Sequence, residues 1–545
     1  MNSENRLTHF RNGVFSFFLV FSFLIPGHIR GNYGISSDNP DLIVGVVVEK
    51  MRYDYISRLW NQFGSDGFKR LFSEGTSFNN ARYDYLVNQS SAGYATIFTG
   101  SNPSAHGIIA DYWYDRLRNN IQLVVFDQDV IAVGGSYSNG KRSPSGLLAA
   151  TFSDELRLAT DFRSRIYSVS LNDAAAVLSG GFSANAAWWF DEINGGWMSS
   201  SFYIDSLPSW VKAFNEIMLP DTYLERRWEP MLDNSSYFGI KNSKKNEPFN
   251  YDFRRMRGRG DDYGLLKLTP YGNTFTNDFA LNLIVNEQLG KRSSTDMIII
   301  SFSATAGLDL QHGTFSTELQ DTYLRLDQDI AHLLRFLDDY LGKSKVLLFM
   351  TSDQAVAYPA SYNQSARIPG GTFSPAVAMS LLRSYLNVTY GHADWINTYN
   401  AGMVYLNHNL IEDNNIPLGD IQDKSSRFLD QFTGVAGTVT EDALRRNYYS
   451  GGIPAKIQAG FHPKRSGDIM LYLRQGWMER SFSGENLTLI SYDQHVPLVF
   501  YGYNMISAKY SREVSIADIA PTLSLIMNIP IPPFATGKPI MELLK

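Results

Sequence analysis

Two acidic residues stand where an α/β protein most readily holds a ligand. Glu49 ends the apolar run Asp41-Leu-Ile-Val-Gly-Val-Val-Val-Glu49, and Asp353 ends Val346-Leu-Leu-Phe-Met-Thr-Ser-Asp353. Continuous apolar runs of this length, broken abruptly by a charge, read as strands covered on both faces, the pattern of a mostly parallel sheet. Open sheets of that kind bind ligands beyond the carboxyl ends of their strands. Both carboxylates are therefore placed to act as hard oxygen donors in a site.

The elements that must position them are legible around these runs. A third strand reads as Asp296-Met-Ile-Ile-Ile-Ser-Phe-Ser303. Between it and Val346, Leu319, Tyr323, Leu326, Ile330, Leu333, Leu337 and Leu341 recur at three- and four-residue spacing, which predicts an amphipathic helix ending at Gly342. Strand, helix and strand in that order predict a right-handed crossover. The fold class expected is α/β, a mainly parallel central sheet flanked by helices, with an inserted cap. The core spans 35–357. Residues 358–465 lose the rhythm, become rich in Asn, Tyr, Gly and Pro, and read as the cap, and 466–545 read as the return to the core through Gly467-Asp-Ile-Met-Leu-Tyr-Leu473 and His495-Val-Pro-Leu-Val-Phe-Tyr501.

Composition narrows the partners. The chain has 545 residues, 48 Lys and Arg against 54 Asp and Glu, a net charge of −6 and no basic run, which argues against nucleic acid. Arg6 and Arg11 precede the apolar stretch Val14 to Ile25, closed by Pro26-Gly27. Residues 1–34 therefore read as an export signal, cleaved between Gly27 and Gly34, with an uncleaved anchor as the alternative; the run is short for a membrane span. No cysteine is present, so neither disulfides nor a lipid-modified cysteine are available. The expected location is a bacterial periplasm, the cell surface or the exterior, with no transmembrane span left once the signal is removed.

Seven segments in order resemble the PafA-like alkaline phosphatases of Bacteroidetes-type bacteria, within the type I phosphodiesterases and nucleotide pyrophosphatases of the alkaline phosphatase superfamily. They are VVVEKMRYDY, GFKRLFSEG, SAGYATIFTGSNPSAHGI, LLKLTPYGN, DTYLRLDQDIAHLL, HVPLVFYG and IADIAPTLS. The resemblance implies an alkaline-phosphatase-like fold in which two zinc ions clamp a nucleophilic hydroxyl and the phosphoryl oxygens. It places the first metal-binding carboxylate at Glu49, where the family has aspartate in a pattern like VVDQMRWDY, and the nucleophile, usually threonine, at Ser90.

The same resemblance implies departures almost everywhere else. The Asp and His expected four residues apart fall on Ala306 and Leu310. The Asp-His pair of the third strand is Asp353-Gln354, and the last histidine falls on Asn486. The phosphate-binding Asn, Lys and Arg fall on Asp111, Asn172 and Ala174. Asp309, His312 and His495 lie near these segments, Asp309 and His312 out of register, and a displaced metal site built from them is left open. Of the metal set, only Glu49, Ser90 and Asp353 retain ligand chemistry, so the expected cofactor is none or a single weakly bound divalent metal rather than a two-zinc centre. Two functions follow. One is a pseudophosphatase serving as a binding or structural module for an envelope protein, glycan or lipid; the other is a phosphate-ester hydrolase with a reduced or rebuilt metal site and Ser90 as nucleophile.

Overall fold

The run that ends at Glu49 lies in the middle of a large sheet and is buried along its whole length. Leu42–Val48 pairs in parallel with Asp296–Phe302 on one side and with Val346–Thr351 on the other. The computed structural model describes residues 39–544 other than 87–88, 239–248, 258–262, 359–361, 364–365, 481–485 and 488–493. The predicted export signal lies outside the described residues.

Among the described residues, eleven strands form this sheet. Its centre is five mutually parallel strands in the order Val346–Thr351, Leu42–Val48, Asp296–Phe302, Ile166–Ser170 and Ala186–Asp191. Side chains alternate across the sheet, so Leu42, Val44, Val46 and Val48 enter one core while Ile43 and Val47 enter another on the opposite face. Full burial of each such side chain is worth about 1.5–3 kcal/mol, and the two-sided packing fixes where the following residue, Glu49, emerges.

The sheet is mixed rather than parallel throughout. Gly196–Ser200 runs antiparallel to Ala186–Asp191, and Val499–Gly502 antiparallel to Val346–Thr351. The first of these pairs is joined by a short connection, which permits only antiparallel pairing.

The predicted helix spans Thr317–Tyr340, opened by the Ser316 hydroxyl accepting the Leu319 N–H at 3.1 Å. It links two strands that are not neighbours: Asp296–Phe302 and Val346–Thr351 flank Leu42–Val48. The strand Ile469–Leu473, expected to return to the core, does not do so. It pairs with Met403–Leu406 and Val435–Thr440 in a separate four-stranded antiparallel sheet, and its Ile469, Leu471 and Leu473 join a third apolar core with Leu382, Trp395 and Val404. A short apolar run carries no mark of which sheet it will join. The main sheet resumes at His495–Val496. No helix among the described residues is long and apolar enough to cross a membrane.

Candidate functional site

Four neighbouring parallel strands deliver their carboxyl ends to one edge in the order Asp353, Glu49, Ser303 and Asn172. Ser90 reaches the same edge as the first residue of the helix Ser90–Thr99. Gly93 explains how this helix comes so close: a Cβ there would lie 1.7 Å from the Asp353 carbonyl oxygen. Only a residue without a side chain allows that approach, so the glycine three residues after Ser90 sets the distance between hydroxyl and strand end.

The two carboxylates are held differently. Glu49 Oε1 accepts from the Ser303 hydroxyl at 2.9 Å and the Tyr94 hydroxyl at 3.2 Å, and Tyr94 is bonded onward to Ser301. Asp353 Oδ1 accepts the Lys50 N–H at 2.7 Å and the Ser352 hydroxyl at 3.3 Å. The Ser90 hydroxyl lies close enough to hold the Asp353 pKa down, yet Oδ2 is left buried without an aligned donor. Burial, reinforced by the neighbouring Asp353 charge, pushes Glu49 up to about 8, and burial pushes Asp353 up to about 6. The cation acting against these rises is Lys50, which also faces Asp309. Lys50 takes a left-handed backbone conformation, with φ of 57°, rare for a side-chain-bearing residue and frequent at functional sites. The sequence reading passed over it, although the segment that aligned Glu49 sets Lys50 against a family glutamine.

The positions that depart from the family pattern also converge here. Gln354 Nε2 donates to Ser90 Oγ at 2.8 Å. Asp111 accepts the Ser91 N–H at 3.0 Å, so its carboxylate is seated on the amino end of the Ser90 helix. Asn172 caps the helix Asp173–Gly180, its Oδ1 accepting the Ala174 N–H at 3.0 Å. Ala306 is buried on the helix Ala304–His312. Beside it opens a cavity of about 390 Å³ whose wall includes Glu49, Asn172 and Ser303. The side chains of Leu310 and Asn486 lie outside the described residues.

The other three candidates are engaged elsewhere. His312 pairs with Glu318 at 3.6 Å and lies against Trp228 and Tyr251. His495 bonds the Asn79 carbonyl at 2.7 Å and stacks on Tyr53 at 4.3 Å. Asp309 is held near Thr314, Lys50 and Arg52, with burial raising its pKa.

Among the described residues, no histidine, cysteine or third carboxylate joins Glu49 and Asp353 tightly enough to share an ion. The only group that close is His408, Glu441 and Asp468 in the cap, whose ligand atoms lie within 4.8 Å of one another. Those oxygens are already engaged: Asp468 pairs with Arg116 at 3.1 Å and His408 at 2.6 Å, and Glu441 with Arg445 at 2.7 Å. These groups are spent on one another and on neighbouring arginines.

The family model described as type I phosphodiesterase / nucleotide pyrophosphatase matches residues 43–495. The chain belongs to that family. Within the type I phosphodiesterases it groups with the PafA-like alkaline phosphatases. It is 33% identical over 539 residues to the alkaline phosphatase PafA of Elizabethkingia meningoseptica, covering 95% of this chain and 97% of that one. It is 34% identical over 523 residues to a Myroides odoratus protein named calcium-transporting ATPase, covering 93% and 95%. The crystal structure of wild-type PafA superposes with a TM-score of 0.88 at 31% identity, covering 93% of this chain and 99% of that one. A solved PafA variant with a threonine changed to serine, and an asparagine, a lysine and an arginine each changed to alanine, gives a TM-score of 0.87 at 32% identity, covering 92% and 99%.

Proposed function

We propose that this type I phosphodiesterase family member is an exported pseudophosphatase, acting as a binding or structural module of a bacterial envelope. The observation that carries the reading is the Gln354 amide bonded to Ser90 Oγ at 2.8 Å, in the position where the family resemblance implies an imidazole on a metal. An amide is a poor zinc ligand beside imidazole, and this one is spent on the nucleophile position. The two-zinc centre implied by the resemblance does not fit the residues present: a methyl group stands at Ala306, no imidazole joins Glu49 and Asp353 among the described residues, and the cation facing the carboxylates is Lys50.

The phosphate-binding positions support the same reading. The four residue types changed in the solved PafA variant are those that the resemblance sets at Ser90, Asp111, Asn172 and Ala174, and this chain departs at all four. Two of them now serve local structure, with Asn172 capping a helix and Asp111 placing its own negative charge on the Ser90 helix. Both cationic donors for a phosphate dianion are absent.

A second reading has one observation in its favour, the buried Asp353 Oδ2 without an aligned donor. Glu49, Ser90 and Asp353 offer oxygen donors for at most one weakly held divalent cation, and Ser90 keeps the nucleophile position at the helix start. The test is metal content of the native protein by mass spectrometry, with steady-state assays on an aryl phosphate and an aryl phosphodiester, with zinc and after chelation. The pseudophosphatase reading expects no bound metal in stoichiometric amount and negligible turnover. Turnover abolished both by chelator and by Ser90→Ala would establish the hydrolase instead. Amino-terminal sequencing checks export, with a start between residues 27 and 34 expected.

A further inference from the structure

We infer that the cavity beside Glu49 is a binding site for a neutral polyhydroxylated ligand, a saccharide of one or two rings, and not for a phosphate ester. The inference rests on the pseudophosphatase reading and names the ligand class of that same region. At about 390 Å³ the cavity lies within the roughly 300–1,000 Å³ usual for small-molecule pockets. It exists because Ala306 presents only a methyl group to it and Asn172 only a short amide.

Most of its polar groups are paired with one another or with their surroundings, and two keep an atom with no hydrogen bond among the described residues. Glu49 lines the cavity while only 2% exposed, and both of its hydrogen bonds end on Oε1, so Oε2 has no donor among the described residues. Asn172 uses Oδ1 for its helix cap, and its Nδ2 makes no hydrogen bond among the described residues. Trp189, Phe190, Leu171 and Leu268 supply the apolar wall. A sugar hydroxyl both donates and accepts, so it can satisfy a carboxyl oxygen and an amide NH₂ at once, while the C–H face of the ring packs on apolar surface.

Charge argues against a phosphate. The two cations on the wall are each neutralised on the same wall, Arg142 by Asp173 and Lys267 by Glu192 at 2.7 Å. Glu49 brings no positive charge, so the wall has none in surplus for a dianion.

The experiment titrates the purified full chain with glucose, maltose, N-acetylglucosamine and its β-linked disaccharide, and with inorganic phosphate, by calorimetry and saturation-transfer NMR. At least one saccharide is expected to saturate while phosphate gives no saturable signal. Ala306→Phe fills the cavity and is expected to weaken saccharide binding at least about tenfold. Asn172→Asp keeps a good capping oxygen while removing the amide donors, so it should weaken binding at an unchanged melting temperature, and it keeps the inference testable if the phenylalanine variant does not fold. Absence of binding by every saccharide, saturable binding of phosphate, or saccharide binding indifferent to Asn172→Asp would each overturn the inference. A phosphatase assay that stays silent alongside such a result leaves the pseudophosphatase reading standing; zinc-dependent turnover overturns that reading itself.

Discussion

On the Asp353 side of the carboxyl edge the polar groups are tied to one another: Gln354 bonds Ser90, the Lys50 N–H bonds Asp353, and Asp111 sits on the Ser91 N–H. On the Ala306 side, two strands away, an alanine and a capping asparagine leave a cavity of about 390 Å³ open to Glu49. Both sides depart from the same family pattern, so the contrast lies in what replaced the ligands. A polar substitute near a hydroxyl finds a new partner, because a buried polar group left unpaired costs about 1–3 kcal/mol. A methyl group demands no partner and leaves room.

The largest effect expected comes from rebuilding both sides together. Ala306→Asp, Leu310→His, Gln354→His and Asn486→His, with Asn172→Lys and Ala174→Arg, should produce zinc-dependent hydrolysis of an aryl phosphate, while each single change stays at the wild-type level. Removing one electrostatic donor from a working site typically costs about 10²–10³-fold, and groups that act as a unit are strongly non-additive. Appreciable turnover from Gln354→His alone would show that the Asp353 side is closer to function than the comparison allows.

Gly93→Ala tests how tightly the Asp353 side is built. Its Cβ would meet the Asp353 carbonyl at 1.7 Å, so either the helix Ser90–Thr99 moves or the strand end does. The cost expected in chemical denaturation is about 4 kcal/mol or more, the range reserved for severe steric or packing defects. A cost below about 1 kcal/mol, near that of an ordinary substitution, would show the contact to be loose.

Buried acids give a third test. Glu49 is raised to about 8 by burial together with Asp353, and Asp329, in the helix Thr317–Tyr340, is raised to about 8 mainly by burial, with the Asp278 charge adding to it. A carboxyl with a raised folded pKa favours the protonated form in the fold. Its stabilisation is therefore complete below the ordinary value of 3.8 and is lost as pH rises toward 8. Asp329→Asn should remove that loss, with a gain on the order of a few kcal/mol at the alkaline end and little at the acid end. Melting temperatures across that range measure it, and an unchanged pH profile would refute the burial argument for Asp329.

The smallest effect expected is at the open side. Asn172→Ala removes the Oδ1 that accepts the Ala174 N–H and should cost about 1 kcal/mol, read from urea midpoints. It follows that restoring lysine there for phosphate binding gives up a helix cap. No measurable loss would mean that Asn172 is held for the cavity alone.

The amino-acid sequence determined the apolar runs, the amphipathic helix over 317–340 and the ordered family segments, because these are local patterns of burial and identity. It also determined which side chains stand at 49, 90, 306 and 354, and so which ligand chemistry was available. Only the tertiary structure decided that Gln354 closes on Ser90, 264 residues away, and that the Lys50 N–H closes on Asp353, 303 residues away. The same holds for the cavity beside Ala306 and for the strand Ile469–Leu473 leaving the main sheet for the cap. Such pairings are set by strand order and register among segments distant in the chain, and no local period records which distant partner a strand end will meet.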